Sequence, residues 1–207
     1  MTIVTITGLY DTYEDAAATV RALEAFPVPS ADISLVANGL DNDGMAAETE
    51  TEAVAGAEIG ASTGAAIGGG TGLLAGLGML AIPGIGPVVA AGWLVAAAAG
   101  AVAGAVAGGA AGGLIGSLTS AGVTSEDAHL YVEGVRRGGA LVTAHIDHAN
   151  TLPVEAIMRR HGRVDTSVRG KLYRDGGWRE FSETSMPLNQ LDLAKERALR
   201  QADLMPR

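Results

Sequence analysis

Between Ile59 and Ser125 the chain carries no Asp, Glu, Lys, Arg or His, and along and just before that stretch glycine recurs at every fourth residue. One ladder runs Gly56, Gly60, Gly64, Gly68, Gly72 and Gly76. A second runs Gly92, Gly100, Gly104, Gly108, Gly112 and Gly116, with Ala96 filling its gap. A glycine inside a helix costs about 1 kcal/mol relative to alanine, so ladders this dense need an offsetting contact. Close backbone approach supplies one, because small-xxx-small rows let two helices touch along a groove through van der Waals contact and weak Cα–H···O bonds. A period of four exceeds the roughly 3.6 residues of a helical turn, so the stripe winds in the sense that favours right-handed crossing. Between the ladders stands IPGIGP, Ile82 to Pro87, whose prolines interrupt helical hydrogen bonding. The pattern predicts a glycine-zipper helical hairpin over 56–122, turning at 82–87 on Pro83, Gly84, Gly86 and Pro87.

The residues nearest that turn, LLAGLGMLAIPGIGPVVAAGWLV, are strongly apolar, whereas 96–113 offer only Val102 and Val106 beyond alanine and glycine. The predicted hairpin is oily at its tip and merely small at its base. An uncharged element of this length calls for a lipid or protein partner. A leg of about 25–30 residues spans about 40 Å, enough to cross a hydrocarbon core of about 30 Å. A spanning hairpin, a re-entrant tip and a soluble oligomer with the hairpins buried between subunits are all compatible with this pattern. Beyond Arg136 and Arg137 no Lys/Arg asymmetry sets an orientation.

Charge is partitioned sharply. Residues 1–58 hold eleven acidic residues against Arg21 alone, while 126–207 hold thirteen basic against twelve acidic, so the net charge of -9 belongs to the first block. That excludes a basic footprint for nucleic acid and argues against electrostatic docking on anionic lipid. A length of 207 residues suits one domain or two small ones. Without cysteine there is no disulfide, thiolate nucleophile or zinc-thiolate site, which fits a reducing compartment. The start, MTIVTITGLYDTYED, lacks the basic head and apolar run of a signal peptide, and the expectation is folding in the cytoplasm.

The flanks alternate strand and helix. TIVTI reads as a half-buried strand. Thr12 stands three residues before Asp15 as a capping-box variant, ahead of a helix carrying Ala16, Val20, Leu23 and Ala25 that Pro27 and Pro29 stop. ISLVA, 33–37, is the next strand, and 41–55 is an acidic linker. After the insertion, Ser125 caps a helix to about Arg137 with Glu126 and Asp127 at its favourable dipole end. ALVTAHI makes a strand, LPVEAIMRRHG a helix closed by Gly162, and RVDTSVR a last strand. Two such halves, 1–40 and 123–170, predict a small ferredoxin-like α+β sandwich interrupted by the hairpin. Residues 171–207 form an arm ending in a charged helix near 188–201, anchored on the sheet by Tyr173, Trp178 and Phe181.

Little in the chain points to chemistry. GASTG places Ser62 in a G-x-S-x-G pattern, but both glycines belong to the ladder and no strand precedes it. GTGLLA lacks the leading strand and the following acidic residue of a dinucleotide fingerprint, and the only lysines, Lys171 and Lys195, complete no phosphate loop. His145, Asp147 and His148, with His129 or His161 from outside, offer metal-ligand types, yet on a strand His148 faces away from the other two. Arg159 and Arg160 pair like a phosphate or acidic-linker contact, although such arginines more often form a solvated helix face. No catalytic, cofactor-binding or metal-binding residue is expected.

The βαβ start, the Ala/Gly insertion around IPGIGPVVAAG, the passage EDAHLYVEGVRRGGALVTAHID and an HG-then-W tail together resemble the bacterial general stress protein, or heat-induced stress protein, family. The likeness covers nearly the whole chain. It implies stress induction and supplies no catalytic residues. The expectation is a non-enzymatic stress-response protein whose glycine-zipper hairpin drives self-association at or in the cytoplasmic face of the inner membrane. Its partners would be other copies of itself and membrane lipid. The alternatives are a soluble homo-oligomer and a ligand- or metal-binding α/β domain.

Overall fold

The computed structural model describes residues 2–40, 78–97 and 110–203. In chain order these form β1 (Ile3–Tyr10), α1 (Tyr13–Ala25), β2 (Ile33–Asn38), β3 (Gly78–Ile82) and β4 (Gly86–Gly92), followed by a helical run at 93–97. Then come α2 (Ala110–Ser120), α3 (Ser125–Arg136), β5 (Ala140–Asp147), α4 (Thr151–Arg160), α5 (Thr166–Asp175) and α6 (Gln190–Asp203). Local capping works as the sequence dictates at α1, where Thr12 Oγ1 accepts from the Asp15 N–H at 3.1 Å and donates to the Asp15 carboxylate at 2.7 Å. At α3 the cap is Thr124 rather than Ser125. It accepts from the Asp127 N–H at 3.1 Å and leaves Ser125 as the first helical residue.

The five strands form one sheet in the order β1-β5-β2-β4-β3, each antiparallel to its neighbour. β1 and β2 are therefore parallel, joined through α1, with β5 inserted between them. The α+β class is the one the sequence predicts, but the five-strand order is not that of the predicted ferredoxin-like sandwich. RVDTSVR is not a strand: beside β1 it contributes one backbone bond, from the Val164 N–H to the Leu9 carbonyl at 2.8 Å. The Asp165 carboxylate then accepts from the N–H groups of Ser167 at 2.9 Å and Val168 at 3.2 Å and turns the chain into α5. A side chain that satisfies helix-start donors competes directly with the ladder of a strand.

The second departure is inside the insertion. IPGIGP is a turn, but it joins β3 to β4 and not two helical legs. Gly84 (φ 78°) and Gly86 (φ 100°) adopt the left-handed backbone it requires, and the Ile85 N–H bonds the Ile82 carbonyl at 3.1 Å. Side chains from Val88 to Ala91 alternate between the two faces of the sheet, the period of a strand, and β4 finds a partner in β2, from Ser34↔Gly92 to Asn38↔Val88. The apolar run between the two ladders is thus taken up by sheet pairing and not by helical legs.

Both faces are covered, so the domain has three layers instead of two. On one face Tyr10, Ile33, Leu35 and Val142 pack with Ala16, Val20 and Leu23 of α1 and with Val154 and Met158 of α4. On the other, Leu9, Val36, Val88 and Leu141 pack with Leu114 and Leu118 of α2, with Val132 and Val135 of α3, and with Ile85 and Leu94. The stretch predicted to protrude as a hairpin thus supplies two strands and a helix to the core.

The ladder residues that are described serve other ends. Gly92 (φ 95°) closes β4 where any Cβ would strike the Ile33 carbonyl and Ser34. At Gly112 the backbone N–H donates to the Glu183 carboxylate at 2.6 Å, and at Gly116 a Cβ would enter open space. Neither sits in a tight helix–helix contact. Gly56, Gly60, Gly64, Gly68, Gly72, Gly76, Gly100, Gly104 and Gly108 lie outside the described residues, as does the acidic linker after Leu40. Among the described residues no helix is long and apolar enough to cross a membrane.

The arm belongs to the domain as well. Phe181 is buried in the α2–α3 face, where a Cβ on Gly84 would meet its ring at 3.0 Å. Tyr173 lies on α5, buried beneath the Arg137 guanidinium at 4.3 Å, with Trp178 edge-on at 6.0 Å.

Candidate functional site

The two ends of β5 carry different chemistry. Just before the strand, Arg137 donates to Glu133 at 2.6 Å and to Glu196 of α6 at 3.1 Å. Glu133, itself buried, also takes Arg136 at 3.1 Å. Arg169 of α5 grips Asp11 with two bonds of 2.7 and 2.9 Å, and Arg200 of α6 reaches the same carboxylate at 3.5 Å while donating to the Arg137 carbonyl at 3.1 Å. Burial works against the Arg169 charge, but the bond and charge of Asp11 together with Tyr173 outweigh it and hold the guanidinium above its ordinary value. Each carboxylate of this cluster is committed to an arginine. The arrangement ties α5 and α6 to the end of β1 and to α3, which makes it a clasp for the C-terminal segment.

At the far end lies a cleft of about 420 Å³ between the sheet and α2, lined by Trp93, Ala97, Gly116, Ser117, Ser120, Ala121 and His145. Its position follows from Gly92. With no Cβ there, the chain passes close over β2, and the Leu94 N–H lands on Ser34 Oγ at 2.8 Å, which starts the helical run and swings Trp93 across to β5. The indole then stacks on the His145 imidazole with ring centroids 3.8 Å apart and planes 23° from parallel. Burial lowers the His145 pKa from its ordinary value, against the opposing pull of Asp32, so the ring is neutral at pH 7.

The sheet beneath is polar at this end. Thr5 pairs with His145, and Thr7 with Thr143, which in turn opposes Ser34. Thr7, Thr143 and Ser34 are buried. The Thr7 and Thr143 hydroxyls and the Trp93 Nε1–H are shielded from solvent and have no hydrogen-bond partner among the described residues. A buried polar group left unpaired costs about 1–3 kcal/mol, so three in one region mark a place where apolar packing has been given up.

The residues singled out in the sequence are dispersed. His145 and Asp147 share a face of β5, while His148 opens an exposed 3-10 turn whose Ala149 N–H is capped by the Asp147 carboxylate at 3.0 Å. Among the described residues no group of three or more His, Asp or Glu side chains is arranged to hold a metal ion. Arg159 meets Glu155 at 3.3 Å across one turn of α4, and Arg159 and Arg160 are both exposed. Ser62 lies outside the described residues. Sequence reasoning missed Trp93, Ser117, Ser120 and Thr143. The one available signal was Trp93 itself, a large side chain with a donor inside an uncharged, small-residue stretch. Comparison with protein-family models, curated proteins and solved structures gives no match for this chain.

Proposed function

We propose that the chain is a non-enzymatic stress-response protein that acts by self-association through its two Ala/Gly tracts, with the three-layer domain as their carrier. The observation that carries this is topological. Gly78, the first residue of β3, pairs with Ala90 near the end of β4, so the chain enters and leaves this hairpin at the same end of the sheet, with one tract before it in sequence and the other after it. Two tracts of matching small-residue period anchored at one end are suited to zip with each other and with those of a second copy. The resemblance of IPGIGPVVAAG and YVEGVRRGGALVT to general stress proteins supports the cellular role.

The burial of Ile82, Ile85, Val88 and Leu94 favours partner chains over lipid, because these apolar side chains of the insertion are spent on the domain core. A cytoplasmic homo-oligomer is therefore the form of the proposal, with any membrane contact left to the tracts. The test pairs Gly104→Leu and Gly108→Leu with the off-ladder controls Ala103→Leu and Ala107→Leu. Sedimentation velocity and cross-linking in cells are expected to show a smaller species for the glycine pair alone, and carbonate washing is expected to release the parent protein from membranes. Equal assembly of parent, ladder and control variants would refute self-association through the ladder.

A further inference from the structure

We propose that the Trp93–His145 cleft is a binding site for an uncharged, flat aromatic molecule that bears a hydrogen-bond acceptor. Three features define that ligand. First, none of the residues lining the cleft carries a formal charge and the charged group acting on His145, Asp32, is negative, so an anion entering would lose its hydration beside a like charge and a cation would lose it with no lining charge to pair with. Second, the lining joins a stacked aromatic pair to the small residues Ala97, Gly116 and Ala121, a surface that suits a ring system stacking beside the indole. Third, the Ser120 hydroxyl stands exposed at the cleft wall, a donor that a carbonyl or ring nitrogen on the ligand can meet. The hydroxyls of Ser117 and Thr119 on α2 already donate to carbonyls of their own helix, the first to Leu114 at 3.0 Å and the second to Gly116 at 2.9 Å. That leaves Ser120 as the adaptable polar contact at the cleft wall.

Gly116 gives the site its handle. A Cβ there meets nothing within 4 Å, so a larger side chain can grow into the cleft without striking the core, and it replaces a helix-interior glycine with a better helix former. The experiment uses the full chain and two matched probes: 6-propionyl-2-(dimethylamino)naphthalene, neutral with a ketone acceptor, and 6-(dimethylamino)naphthalene-2-sulfonate, with the same rings and a fixed negative charge. The expected result is 1:1 binding of the ketone, with its emission shifted by hydrogen bonding and with energy transfer from tryptophan, and at least tenfold weaker binding of the sulfonate. Gly116→Leu is expected to cut ketone binding at least tenfold while leaving the circular dichroism and melting temperature equal to or above the parent's. Ser120→Ala, which removes the donor at the cleft wall, is expected to abolish the hydrogen-bonding shift of the ketone. Equal affinity for the two probes, or undiminished ketone binding in a folded Gly116→Leu variant, would overturn the assignment. Because Gly116 closes the second ladder, Ser120→Ala, which lies beyond it, separates this result from the assembly test: it is expected to remove the shift while leaving sedimentation unchanged.

Discussion

Ile85 lies at the turn of IPGIGP, where a protruding hairpin would put it farthest from the domain, yet it is fully buried, at 0 % exposure, in the cluster that joins α2 and α3 to the sheet. Ile85→Ala tests which description holds. Truncating a buried isoleucine removes transfer free energy and leaves a cavity that the surroundings only partly fill, at a cost of about 2–5 kcal/mol. The turn is fixed by two glycines at positive φ and by the packing of Gly84 on Phe181, Ser182 and Glu183. It has little freedom to collapse into the void, so about 3 kcal/mol is expected. In a chain of this size that corresponds to a fall in melting temperature of about 6–12 °C. Urea unfolding followed by circular dichroism should show a lower midpoint with an unchanged slope, since the same surface is exposed on unfolding. Val168→Ala, at a residue 57 % exposed on α5, is the matched control and should change stability by less than about 0.5 kcal/mol. If Ile85→Ala behaves like the control, the 78–92 hairpin is not part of the core and the three-layer description fails.

Arg169→Met should cost about 2 kcal/mol, between the values for exposed and buried pairs, because the arginine is buried while a quarter of the Asp11 side chain remains open to water. Limited proteolysis should find the 176–203 segment more readily cut in that variant, and a proteolytic pattern and urea midpoint equal to the parent's would count against the clasp. For His145, whose folded-state pKa lies below its unfolded value, the unfolded chain binds the extra proton first as the pH drops. Stability should thus be complete above about pH 6.5 and decline as the pH falls through that value toward the folded pKa. His145→Phe preserves a ring under Trp93, so the difference in urea midpoint between parent and variant should change in the variant's favour from pH 7 to pH 5. A constant difference would show that His145 does not titrate differently on folding.

Much of the local structure was legible in the sequence because it depends on neighbours a few residues apart. Thr12 with Asp15 set the start of α1, Pro83 to Pro87 set a turn, and the alternation in TIVTI and ALVTAHI set β1 and β5. The charge blocks and the absence of cysteine likewise bounded the possible chemistry without any structure. What the turn joined was not decided locally. GMLAI and GPVVAAG are short apolar runs that fit a buried helix or a buried strand, and only the open edge of β2, along Ser34 to Asn38, settles them as strands. RVDTSVR went the other way, because an aspartate that can cap a helix outcompetes one more edge strand. The cleft is wholly a product of tertiary structure. Trp93 and His145 are far apart in the chain and meet because Gly92 lets the backbone cross β2 at close range. A residue's own sequence fixes its preferences among nearby backbone states, but which distant surface it meets depends on the register of strands that the whole sheet must satisfy at once.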